Sequence, residues 1–156
     1  MERKTQAERL KEMMKRHHHI RSYECSLPLM VLRKTKLEKL RVGDLVLTGC
    51  KTLELLLQDE KDIYMTAHFD SLQKVEIVGT TAVFRKESIE EKDTVVKFSF
   101  GTLPLEELQK GSRVDLSALN LDKMILKVDK RAVAQGHLVN VNGTIAVAID
   151  KIKSKV

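Results

Sequence analysis

A ten-residue pattern occurs twice in this chain and limits the folds open to it more than any other feature. Leu37-Glu38-x-Leu40-x-x-Gly43-Asp44-x-Val46 falls on Leu105-Glu106-x-Leu108-x-x-Gly111-Ser112-x-Val114 at a constant shift of 68 residues. After it, each copy runs through an aliphatic strand (Leu53–Leu57; Met124–Val128) and a charged turn (Asp59-Glu60-Lys61; Asp129-Lys130-Arg131), then a closing strand pair. Each copy therefore reads as strand, one helical turn, glycine turn and strands. A unit of about 60 residues buries only ~60% of the surface its unfolded chain exposes, so it is marginal alone. Two related copies in 156 residues solve this by sharing a core.

Local signals refine the map. Thr35-Lys36-Leu37-Glu38 fits a capping box, with Thr35 accepting from the Glu38 amide. Pro104 suits the first position of the equivalent helical turn in copy two. Gly43 and Gly111 stand where the chain must leave that turn with positive φ. The expected organisation is a basic helical leader over 1–21, a first repeat over 22–84, a charge-dense linker over 85–93 and a second repeat over 94–156.

Charge argues against several function classes. The formal charge is +6, but residues 1–22 hold seven Lys/Arg against three Glu, so the remaining body is nearly balanced. The leader invites a second reading, a basic nucleic-acid-binding module with phosphate contacts from residues 3–21. Four Phe, two Tyr and no Trp make a thin base-stacking platform, so specific recognition is not expected. His17-His18-His19 would point about 100° apart on a helix and cannot easily share one metal ion. Cys25 and Cys50 have no paired spacing, which argues against a disulfide framework or a zinc motif. His68 and His137 read as structural, and no nucleotide-binding glycine loop or acid–base pair is evident. A non-enzymatic chain without a cofactor is expected. The start has no apolar h-region and the chain no 18-residue apolar run, which points to a cytoplasmic location.

Ala132–Ile149 (AVAQGHLVNVNGTIAVAI) carries no Asp, Glu, Lys or Arg, although 32% of the chain is charged. Asn142-Gly143 between β-formers signals a hairpin. A two-residue loop would place Leu138, Asn140, Ile145, Val147 and Ile149 on one face. His137, Val139, Val141, Thr144, Ala146 and Ala148 would lie on the other. A three-residue loop would gather Val139, Val141, Ile145, Val147 and Ile149 instead. Neither register yields a charged outer face, so both sides need cover from the sister repeat, another chain or a partner.

These residues resemble a family. Leu103-x-Leu105-Glu106-Glu107-Leu108-x-x-Gly111, Ile125-x-x-Val128-x-x-Arg131-x-x-Ala134-Gln135-Gly136, Val139-x-Val141 and Val147-x-Ile149 look like the SpoA (surface presentation of antigens) domain. This domain occurs in FliM and FliN flagellar motor switch proteins and in the cytoplasmic ring proteins of type III secretion injectisomes. Copy one matches more loosely and lacks the Asn-Gly hairpin. The resemblance implies a mainly β fold: an intertwined intramolecular pseudo-dimer, a small barrel or saddle, with short helical turns and a charged N-terminal helix. It further implies a ring subunit at the cytoplasmic face of the inner membrane. Its expected partners are other ring subunits, through self-association or FliM/FliN-like proteins, and a FliH-like regulator of the export ATPase. Leu138, Val139, Asn140 and Val141 are the implied partner-binding residues, with Gly43, Gly111, Gly136, Asn142 and Gly143 as structural turns. Asn140 and the Ala146-Val147-Ala148-Ile149 segment depart from the family pattern, the latter losing an arginine.

Overall fold

The computed structural model describes residues 5–7, 9, 20–61, 63–69, 74–81 and 89–154. Most of the charged leader, including His17–His19, and most of the linker lie outside these. Among the described residues from Ile20 onward, eleven strands and one short helix follow in chain order: β1 (Ile20–Ser26), β2 (Met30–Arg33), α1 (Lys34–Glu38), β3 (Leu45–Leu47), β4 (Glu54–Gln58), β5 (Tyr64–Phe69), β6 (Lys74–Thr81), β7 (Asp93–Glu106), β8 (Arg113–Asp115), β9 (Met124–Val128), β10 (Arg131–Val141) and β11 (Thr144–Ile152). The fold is mainly β and its pairings are antiparallel. No helix among the described residues is long and apolar enough to cross a membrane.

The order across the sheet is β3-β11-β10-β9-β7-β1-β4-β5-β6-β8, with β2 pairing β7. It reads the same from both ends once each strand of one half is exchanged for its counterpart in the other. Two short strands cross over: β3 of the first half pairs with β11 of the second, and β8 of the second pairs with β6 of the first. The glycine turns prepare both crossings in the same way. Gly43 (φ +92°) and Gly111 (φ +89°) adopt the left-handed conformation that a Cβ disfavours. Gly43 N–H donates to Ile149 C=O and Gly111 N–H to Ile77 C=O, both at 2.8 Å. Ile149 N–H and Ile77 N–H return bonds to Asp44 C=O and Ser112 C=O at 2.9 and 2.8 Å. Each turn thus satisfies its backbone groups on the last strand of the opposite half.

Three expectations are corrected. The sheet is open rather than a closed barrel, because it ends at β3 and β8, three-residue strands that do not pair with each other. Thr35 does not cap a helix: α1 starts one residue earlier, Arg33 holds the N-cap position, and no side chain bonds there. Pro104 opens no helical turn, but lies in β7 opposite Ser22. Proline drives its preceding residue to extended backbone, and Leu103 accordingly pairs with Tyr23.

One hydrophobic core draws on both halves. Tyr23, Leu55, Leu57, Val75 and Ile77 pack with Phe98, Met124, Leu126, Val147 and Ile149, all nearly or fully buried. Tyr23 adds one polar fixture, its hydroxyl accepting from the Leu108 N–H at 2.9 Å. That bond ties β1 to the chain leading into β8. Burial in this core pushes the Cys25 thiol up to about 12, with a further contribution from the nearby Glu24 charge.

Candidate functional site

The neutral stretch forms β10 and β11, joined by the two-residue loop. Asn142 (φ 52°) and Gly143 (φ 82°) make the primed turn that matches strand twist, and Gly143 N–H donates to Asn140 Oδ1 at 2.8 Å. The register is Val141↔Thr144, Asn140↔Ile145, Val139↔Ala146, Leu138↔Val147 and His137↔Ala148. Gly136 serves neither a turn nor a positive φ. It lies within β10 beside a β-bulge, where a Cβ would stand 2.5 Å from the Ala148 carbonyl oxygen. Its role is close approach between strands.

This register separates the four residues implied as a contact surface. Leu138 packs against the core and Asn140 spends its carboxamide on the turn. Val139 and Val141 belong to the opposite face, and β3 extends that face. Leu47 pairs with Ala146, which pairs with Val139; Leu45 pairs with Ala148, which pairs with His137. Paired residues share a face, so Leu45, Leu47, Ala148, Val139 and Val141 form one aliphatic surface across three strands, with Ala146 fully buried between Leu47 and Val139. Leu45 is 47% exposed, Leu47 59%, and Val42 in the preceding turn 63%. Val139, Val141 and Ala148 are half-buried. At one margin His137 Nδ1 meets the Asp150 carboxylate at 2.8 Å.

The other end of the sheet is an internal control. The shift of 68 residues carries Leu45 and Leu47 onto Arg113 and Asp115 of β8. There Arg113 opposes Glu76 and Asp115 opposes Lys74. Glu76 pairs with His68, and His68 Nε2 lies 3.2 Å from Glu54 Oε1. Opposite charges directly across strands are the ordinary way to solvate an exposed sheet face. The Ser117 backbone N–H and side chain, more than neighbouring Lys74, hold the Asp115 carboxyl below its usual value. The fold is therefore satisfied by a charged face at this position. Its aliphatic counterpart at β3 is set by the sequence and not required by the fold.

Among the described residues no competing chemical site stands out. A half-open cleft of about 190 Å³ is lined by residues including Glu24, Tyr64, Lys97, Lys127 and Lys130. Lys97 and Lys127 are engaged with Glu24 at 2.7 and 2.6 Å. Among the described residues no group of three His, Cys, Asp or Glu could hold a metal ion. Sequence reasoning missed Leu45, Leu47 and Val42. The signal was available, because Leu45-Val46-Leu47 is a strand with no polar alternation. No protein-family model matches the chain, and no curated protein matches it either.

Proposed function

We propose that this chain is a non-enzymatic structural subunit of the cytoplasmic ring of a bacterial flagellar motor switch or type III secretion apparatus. In this reading two SpoA-like halves clasp each other as an intramolecular pseudo-dimer, and the β3–β11–β10 face docks a partner. The observation that carries the docking role is the contrast between sheet ends: Leu45 and Leu47 stand where the opposite end places Arg113 and Asp115. The exchanged strands β3 and β8 support the clasped arrangement. An uncharged aliphatic face of this kind suits the apolar side of an amphipathic segment. The FliH-like regulator of the export ATPase is the partner we assign to it.

Site-directed photo-crosslinking tests the assignment. A benzoylphenylalanine at Leu47 is expected to capture the regulator when the two are co-expressed, and one at Asp115 is expected not to. Equal capture from both ends, or none from Leu47, contradicts it.

A further inference from the structure

The two halves meet where β1 lies against β7, and a charged cluster marks the junction. Ser26 of β1 pairs with Ser99 of β7, so an approximate two-fold axis relating the halves passes between these two serines. Glu24 lies two residues before Ser26, and Lys97 lies two residues before Ser99. They are therefore equivalent positions. Their cross-strand partners are equivalent too: Gln58 of β4 faces Glu24, and Lys127 of β9 faces Lys97.

Equivalent positions thus hold unlike residues, and the unlike residues bind each other. Lys97 Nζ lies 2.7 Å from Glu24 Oε1, and Lys127 Nζ 2.6 Å from Glu24 Oε2. Ser99 Oγ donates to Glu24 Oε2 at 3.0 Å, and Lys97 also donates to the Gln58 amide oxygen. All three charged side chains are less than a third exposed. Burial alone raises the Glu24 pKa, but the hydrogen bonds and charges of Lys127 and Lys97 outweigh it and the net shift is downward.

We infer that this cluster is a recognition code by which a first half accepts a second half and rejects another first half. Two first halves would set Glu24 against Glu24. Two second halves would gather four ammonium groups at one partly desolvated place, with no carboxylate between them. Like charges so placed repel with little solvent to screen them, the usual means of excluding a wrong partner. The hydrophobic core beneath is drawn from both halves and holds no charge. The partner that fits β1 and β4 is thus a half bearing lysine at both equivalent positions, supplied by the same chain or by a second copy of it. The inference rests on strand pairing and charge placement, and does not depend on the ring reading.

Full-length variants test it. Glu24→Lys makes the cluster wholly positive, Lys97→Glu with Lys127→Glu makes it wholly negative, and the triple variant restores opposite signs with the polarity reversed. Each of the first two is expected to melt at least about 5 °C below the parent, and the triple variant to recover most of that loss. Co-expressed with different tags, the Glu24→Lys chain and the Lys97→Glu/Lys127→Glu chain can satisfy each other by exchanging halves. They are expected to co-purify one to one, at least roughly tenfold more than either chain with a differently tagged copy of itself. Parent-like melting of the first two variants, a triple variant without recovery, or no preference between the co-expressed chains overturns the inference.

Discussion

Replacing Gly136 by Ala isolates the close approach on which the β10–β11 hairpin depends. The added methyl carbon would stand 2.5 Å from the Ala148 carbonyl oxygen and 2.8 Å from Val147 Cγ1. The first contact is backbone, held in the ladder by pairing on both sides of β11. The strand must retreat by roughly an ångström to reach ordinary contact. Overpacking of this kind costs about 1–3 kcal/mol, and a backbone obstacle places it at the upper end. For a chain of this size that lowers Tm by about 5–10 °C. Thermal melting by circular dichroism measures it, and a urea titration should show a lower midpoint with an unchanged slope. Gly143 is the control, because a Cβ there meets nothing within 4 Å but φ is +82°. Gly143→Asn should therefore be nearly neutral, since Asn tolerates that conformation, whereas Gly136→Asn should be worse than Gly136→Ala. A Gly136→Ala protein melting within about 2 °C of the parent would refute the reasoning.

Tyr23→Phe leaves the Leu108 N–H without its 2.9 Å partner. It should cost about 1–3 kcal/mol in urea unfolding, and a neutral result would show that this tie is dispensable. Because Glu24 has a lowered pKa in the folded protein, its stabilisation is fully present above the ordinary value of 4.5 and is lost as pH falls through the folded value. The stability gap between the parent and Glu24→Gln should therefore be constant from pH 7 to about 5 and close on further acidification; a gap that widens in acid contradicts the assignment. With Cys25 buried and its thiol at about 12, iodoacetamide at pH 8 should alkylate half-buried Cys50 alone in the native protein. Mass spectrometry showing equal labelling of both cysteines would contradict the packing around β1.

Local signals were legible in the sequence wherever a single segment determined the outcome. Asn142-Gly143 signalled the hairpin, and of the two loop lengths it left open the structure takes the two-residue one, which sets Val139 opposite Ala146. Long-range placement was less legible. Leu45 and Leu47 lie next to Ala148 and Ala146 only because β3 crosses to the opposite half, a contact between residues about 100 positions apart. The repeat itself misled at its helical turn. Leu37 falls in α1, whereas its counterpart Leu105 pairs with Arg21 in β7. Pro104 favours extended backbone before it, and β1 offers that segment a partner. The shared pattern could not carry that difference, because it arises just upstream of the matched residues.

The central claim, that the β3–β11–β10 face is a docking surface, is tested most directly by titrating the purified regulator against Leu47→Asp. Leu47 is 59% exposed, so the substitution leaves the fold and its melting temperature little changed. Burying the exposed part of a leucine is worth roughly 1–2 kcal/mol, and an unpaired carboxylate in the interface adds a further penalty. We predict a Kd more than about tenfold weaker than the parent's for Leu47→Asp, and no change for Asp115→Ser at the opposite end. Equal affinity of Leu47→Asp and the parent would contradict the account.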